Sequence, residues 1–443
     1  MKKISEADHA NVLIFSEHEP DFSVFDIQEG DWVVIKPNLV KQSKENDPNE
    51  WRSVVTDAGL IRKVCDHVCS ELAGSGRLTI CDAPQTDSSF ERIAELLGLQ
   101  HIAKECSKKY RVPVEVVDLR NEEWVSVDGI VSDRYKLAGD PEGNVRFNLG
   151  RESLFFGHAG EGRYYGADYD AGIVNSHHRG SLQEYLICGT PIKCDVFINM
   201  PKMKTHKKTG VTLSMKNLVG INADKNWLPH HSEGSPKNGG DEYPNLSFKR
   251  RLEQASVKFA RQLALNLPGV GPKLARRLRK AGTVAFGAGD QVIRSGNWYG
   301  NNTTWRMVLD LNRCLLFGQP DGTLQLGHPK RYYSVIDGIV GMDGSGPMQG
   351  DPVASGVVLV GTDPVATDAV AATVMGYNWR YIPMIREAFA LTSLPITQLQ
   401  PEDIMVSSDV VEWNGSLSQL ERRTTLNFQP HFGWIGHIER KTT

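Results

Sequence analysis

The sequence predicts an α/β protein: a mostly parallel sheet with helices on both faces, carrying a β-rich excursion and a helical insertion. Two observations lead to that expectation. Short apolar runs stop abruptly at polar or turn-forming residues, as in Trp32-Val-Val-Ile35 before Lys36-Pro-Asn38 and Leu78-Thr-Ile80 before Cys81-Asp-Ala-Pro84. Between and behind these runs lie segments of helical periodicity at 57–68 and 89–97. Strands separated by helices need crossovers, and crossovers make neighbouring strands parallel.

Val114-Glu-Val-Val117 before Asp118 reads as a third strand of this kind. Residues 121–186 then break the rhythm with glycines and aromatics, notably Phe155-Phe156-Gly157-His158 and Arg163-Tyr-Tyr-Gly166, and are expected to form the β-rich excursion or a lid. A fourth strand runs from Asp195 to Met200 and stops at Pro201, which has no N–H to give to a ladder. Residues 223–328 open with a polar loop and continue with basic helices. The strand pattern returns at Tyr333–Val340 and Gly356–Gly361. Behind it comes a helix with Asp363 as N-cap and Pro364 in its first position. The expected organisation is therefore an α/β part over 1–222, an insertion over 223–328, and a C-terminal α/β part over 329–443 that completes a cleft.

At 443 residues and 40% hydrophobic content the chain can build a large core, by the prior of about 150 residues per domain. Its 50 Lys+Arg against 53 Asp+Glu give a net charge of −3, so no global field points to nucleic acid or an anionic membrane. Val12–Phe15 is too short an apolar segment for a signal peptide, and no run approaches a membrane span, so a soluble cytoplasmic protein is expected. Seven scattered cysteines without a Cys-x-x-Cys argue against a disulfide framework and against an iron–sulfur cluster held by this chain alone.

The chemistry concentrates after the fourth strand. Lys202, Lys204, His206, Lys207, Lys208 and Lys216 fall within fifteen residues, among Thr205, Thr209, Gly210, Thr212 and Ser214. Charge runs usually coat a wet surface, but here apolar residues are interleaved, as in a partly buried loop. Ligands of open α/β sheets gather at the carboxyl ends of strands. Lys36 and Asn38, Asp82, the Lys202–Lys216 segment and Asp337 all sit at such ends, so they are expected to converge on one pocket. In that pocket Lys202, Lys204 and Lys208 would neutralise an anionic small molecule, and His206 would serve as acid/base or metal ligand. Lys216 would act as a clamp or a nucleophile. Asp82 and Asp337 would orient these cations or hold a divalent metal; alone, each would simply cap a turn. The Gly341–Gly350 segment, with Gly344 and Gly346, could offer backbone N–H groups to a phosphate. The pairs His177-His178 and His230-His231 are further candidate metal ligands.

Two other functional classes stay open. Leu267–Gly282 resembles a helix-hairpin-helix element, so the basic stretch 245–294 could bind nucleic acid or an anionic surface. Redox work with a cluster-bearing partner is the third.

Taken together, VVIKPNLV at 33–40, the Lys202–Ile221 segment, DGIVGMDGSGPMQG from Asp337 and GTDPVATDAVAATVMGY from Gly361 resemble the domain-of-unknown-function family 362. That resemblance implies no settled reaction. More distantly, the chain is similar to the nickel-pincer lactate racemases, in which a strand leads to a histidine and, ten residues on, to a lysine. His206 and Lys216 have that spacing with Gly210 between them, although Lys207-Lys208-Thr209 stands where the racemases are glycine-rich. The similarity implies a shared fold and site position, at which those enzymes anchor a nickel-bearing, nucleotide-derived cofactor on the lysine; a divalent metal near His206 and either His230 or His231, or a nucleotide-derived cofactor, is one expectation for this chain.

Overall fold

The computed structural model describes residues 11–16, 20–41, 48–127, 130–166, 170–245, 292–326, 330–423 and 425–440. Its main sheet contains β1 (Val12–Ser16), β2 (Trp32–Pro37), β3 (Arg77–Asp82), β4 (Val114–Asp118), β5 (Val196–Met200), β6 (Lys202–His206), β7 (Arg331–Asp343), β8 (Val357–Gly361), β9 (Met405–Ser408) and β10 (Gly415–Ser416). The order is β10-β9-β1-β8-β7-β5-β2-β3-β4, with β6 lying beside the far half of β7. From β7 through β5, β2 and β3 to β4 every pairing is parallel. β8 runs against both β7 and β1, while β9 lies parallel to β1. The sheet is thus α/β and mostly parallel, with β8 turned round because it follows β7 through the short β-ribbon partner Asp351–Val353 rather than through a helix.

Alternation along the central strands separates two cores. Val33, Ile35, Leu78, Ile80, Val196 and Ile198 face the helices Ala58–Glu71, Phe90–Leu96 and Leu99–Tyr110. Val34, Cys81 and Phe197 belong to the opposite core, with the helices Thr304–Phe317 and Pro364–Met375. Both faces are therefore covered, which is why the central strands are apolar on both sides. Asp363 accepts from the N–H groups of Val365 (2.9 Å) and Ala366 (2.8 Å), capping its helix in the expected way. Gly376, at φ 104°, ends it.

The 121–186 segment is largely β: a hairpin of Glu122–Val127 with Ile130–Lys136, and a small sheet of Asn144–Asn148, Leu182–Cys188 and His178–Arg179. It also holds one helix, Ala171–His177. Within 223–328 the structure departs from a basic insertion, because Thr304–Phe317 is an almost wholly buried core helix. Nearly all of the basic stretch 245–294, with the Leu267–Gly282 match, lies outside the described residues. No helix among the described residues is long and apolar enough to cross a membrane.

Candidate functional site

Pro201 ends β5 but does not begin a loop. The chain resumes at once as β6, whose Lys202 pairs with Asp337 and whose Lys204 pairs with Met342 across a bulge. It turns through Lys207–Thr209 and returns at Gly210–Val211, where Gly210 sits opposite His206. A short helix, Leu213–Asn217, follows; Asp368 fixes its start by accepting from Ser214 N (2.7 Å) and Met215 N (3.0 Å). Strand, turn and helix together deliver Lys204, His206, Lys207, Lys208, Thr212, Lys216 and Asn217 to one cleft.

That cleft, of about 360 Å³, lies at the carboxyl ends of β2 and β3. Lys36, Asn38 and Asp82 line it from those ends, and Lys225, His230, Trp124 and Pro347-Met348 close it from elsewhere. Parts of all four expected strand-end segments therefore meet, although the segment from Asp337 to Pro347 contributes Pro347 and not Asp337. Lys36 and Asp82 form a buried ion pair at 2.8 Å, with the second oxygen of Asp82 accepting from Leu39 N at 2.9 Å. Gly220 lies so close beneath that a Cβ there would stand 2.1 Å from Asp82 Oδ1 and 2.6 Å from Lys36 Nζ, so only glycine fits. Behind the floor runs a chain of buried amides. Asn38 Nδ2 donates to Asn217 Oδ1 (2.8 Å), Asn217 Nδ2 to Asn199 Oδ1 (2.7 Å), and Asn199 Nδ2 to Tyr332 Oη (2.8 Å). Such networks hold their members in one geometry when every group is paired.

The charge is lopsided. Of the two carboxylates lining the cleft, Asp82 is paired with Lys36 and Asp87 with Lys41 at 2.5 Å. Lys204, Lys207, Lys208 and Lys216 have no carboxylate within ion-pairing distance among the described residues. Lys204 donates instead to Asn38 Oδ1 (3.1 Å) and Val54 O (2.8 Å), and Lys225 to the carbonyls of Val219 (2.8 Å) and Asn222 (3.0 Å). Lys208 reaches His230 O and His231 Nδ1, each at 3.3 Å. Lys216 is only 8% exposed, and its ammonium makes no hydrogen bond to any described residue. Burial, reinforced by Lys225 and Lys36, pushes it down to about 7. Lys208 is pushed to about 7 by burial and by Lys207, and Lys204 falls well below the usual lysine range by burial and by Lys202.

The two imidazoles facing the cleft are opposite in kind. The backbone N–H groups of Lys208 (3.1 Å) and Thr209 (3.3 Å) both point at His206 Nδ1. A backbone N–H can only donate, so Nδ1 is the acceptor and the ring proton sits on Nε2. His230 is reversed: Nδ1 donates to Leu228 O at 2.9 Å, leaving Nε2 with a bare lone pair. Both rings are held neutral well below the ordinary histidine value, first by burial and then by the surrounding lysines. The cleft thus holds one fixed N–H donor and one fixed basic nitrogen.

A metal on His206 Nε2 would need the ring proton on Nδ1, where two donors already point; metal-ligating histidines instead donate from the second nitrogen. Among the described residues, no three or more of His, Cys, Asp and Glu form a group that could hold a metal. His206 does not fit a metal site, and no step below passes through one.

The remaining candidates stand apart from the cleft. Lys202 and Asp337 are fully buried and satisfy each other at 2.7 Å, and Asp337 also accepts from Asp57 N (2.6 Å) and Ile339 N (3.0 Å). They tie β6 to β7 rather than facing a ligand. Thr209 orients His206, and Gly210, at φ 80°, packs on Trp434, whose ring a Cβ would approach to 3.3 Å. The N–H groups expected to cradle a phosphate are spent internally: Gly344 N donates to Gln429 O (2.7 Å) and Gly346 N to Gly344 O (2.8 Å). Gly346 is needed where the loop presses on Thr205, because a Cβ would lie 2.2 Å from Thr205 O. His231 stacks on Tyr165 with ring centroids 4.9 Å apart. His177 is paired with Glu184, and His178 is buried between Gln183 and Trp227 O. The seven cysteines are all buried free thiols. Sequence reasoning missed Lys225, Asn199 and Asn217; the Asn–Lys–Asn spacing of Asn222, Lys225 and Asn226 just after the motif is the only signal that could have flagged the first.

Fold and cleft together define a class: an α/β protein whose parallel strands end at a buried pocket rich in lysine. The chain belongs to the family described as Domain of unknown function (DUF362), which matches residues 33–140 and 160–373. The match takes in Lys36, Asp82, Lys204, His206, Lys216, Lys225 and His230. No curated protein and no solved structure matches the chain.

Proposed function

We propose that the protein is an enzyme acting on an anionic small molecule by amine and imidazole acid–base chemistry in this cleft. The observation that carries the reading is Lys216: a nine-tenths buried amine with no hydrogen-bond partner among the described residues, beside Lys204, Lys207 and Lys208, which have no carboxylate within ion-pairing distance among those residues. Leaving a buried charge unpaired is expensive, and a site that tolerates it is preorganised for a ligand of opposite charge. Lys204, Lys207 and Lys208 supply the remaining charge. His206 Nε2–H donates to the bound molecule, and His230 Nε2 removes a proton from it. The ten-residue interval from His206 to Lys216, which resembles that of the nickel-pincer racemases, supports a site at this place in the fold.

Sulfate, a dianion of constant charge near neutrality, tests the reading. Isothermal titration of the wild-type protein should show one saturable site, and Lys216→Ala should weaken it at least tenfold while the variant unfolds at an unchanged or higher temperature. Equal sulfate affinity in the two proteins would overturn the assignment.

A further inference from the structure

A clamp for an anion does not need an amine without hydrogen bonds. Lysines that only neutralise charge are held by carbonyls or amides, as Lys204 and Lys225 are here. Lys216, in the same cleft, differs on two counts. Its Nζ has no hydrogen-bond partner among the described residues, and its short helix is clamped at the start by Asp368 and at Asn217 by the amide chain. A fixed, desolvated primary amine facing a pocket with one N–H donor and one basic nitrogen is what imine formation requires.

Building on the anion-site reading, we propose that the substrate carries an aldehyde or ketone besides its carboxylate or phosphate, and that Lys216 captures this carbonyl as an imine. The neutral amine attacks the carbonyl carbon, its N–C bond forming as the carbonyl π bond opens to oxygen. One amine proton moves to that oxygen through His230 Nε2. The hydroxyl then leaves as water with the second amine proton, and the C=N bond closes. Amine and carbonyl are consumed, imine and one water are produced, and no oxidant or reductant is involved. His206 Nε2–H donates to the developing oxygen anion during attack. With its pKa near 7, about half of Lys216 is neutral at neutral pH. An ordinary exposed lysine is neutral on the order of a thousand times less often, so ionisation favours the cleft amines over surface ones, and among the cleft amines Lys204 and Lys208 are held by hydrogen bonds while Lys216 is not.

Borohydride reduction tests the proposal on the full chain. Protein is incubated separately with pyruvate, with glyceraldehyde 3-phosphate and with neutral acetaldehyde, reduced, digested and mapped by mass spectrometry; sulfate affinity is measured alongside. The expected result is a saturable adduct on Lys216 with at least one of the two anionic carbonyls. It should form at least a hundredfold faster than on exposed Lys104, which lies outside the cleft, be competed by sulfate, and be far weaker with acetaldehyde. Which anionic probe labels distinguishes carboxylate from phosphate recognition. Lys216→Arg, which keeps the charge but cannot form an imine, should retain sulfate binding and lose the adduct; if it does not fold, the wild-type map still decides. Sulfate binding without preferential labelling of Lys216 by either anionic probe overturns the imine and leaves the anion site standing. Loss of both overturns both.

Discussion

At Lys216 and Lys208, burial and like charge set up two opposite pH dependences. Both sit near 7 in the folded protein and near the ordinary lysine value of about 10.4 when unfolded. Between those values the unfolded chain binds protons that the folded chain does not, so the stability of the ligand-free protein rises with pH across that window; below about 7 both states are protonated and this contribution to the slope vanishes. Anion affinity runs the other way, because it needs the ammonium forms. Urea unfolding from pH 6 to 9, with and without sulfate, should show free-protein stability climbing above about pH 7 while the increment from sulfate shrinks. A sulfate increment that stays constant across the range would show that these two amines are not what holds the anion.

At the level of elements, the position of Lys216 depends on a five-residue helix that could not stand alone, since isolated helices shorter than roughly 12–15 residues are marginal in water. Asp368, from the helix Pro364–Met375, accepts from the N–H groups of Ser214 and Met215 in its first turn. Asp368→Ala should cost about 1–3 kcal/mol of stability by orphaning those donors, and should lower sulfate affinity as Lys216 loses its fixed position. Chemical denaturation and titration of the same sample would check both; lost stability with intact affinity would show that the amide chain alone places the lysine. The way the site was read from sequence follows the same logic. Lys36, Asp82, Lys204, His206 and Lys216 were legible because each lies at or just after a strand end, a relation local in sequence. Asp337 was expected at a strand end but lies in the middle of β7 and turns inward to Lys202, since pattern gives neither the full length of a strand nor the partner a side chain meets. Gly344 and Gly346 looked like a phosphate cradle, yet a φ of 64° accounts for the first and close contact with Thr205 for the second. Lys225 was marked only by the Asn–Lys–Asn spacing after the motif, and nothing local marks Asn217, whose role comes from the distant amides it meets.

Across the whole molecule, the cationic turn is braced from the far end of the sequence. Trp434 is 1% exposed; its indole N–H donates to Lys207 O at 2.9 Å and its ring supports Gly210. Trp434→Ala should cost about 3–5 kcal/mol through the cavity it leaves and should loosen the turn that fixes His206. Thermal unfolding would register the first effect and a weakened sulfate titration the second; a folded variant with wild-type affinity would show that the turn holds itself. The fold class was legible in sequence because apolar runs and helical periods alternate, but β1 was not. Val12–Phe15 is one short run with no helix behind it, and both its partners lie remote in the chain, Val12 pairing with Gly361 on one side and Val406 on the other. A ribosome emits this strand long before either partner. At translation speeds of about 5–20 residues per second, the 345 residues between Ser16 and Gly361 correspond to a delay on the order of tens of seconds. During that interval an apolar strand has nothing of its own to pair with, so in the cell this segment is where a chaperone would be needed first, and where premature termination would leave the stickiest fragment.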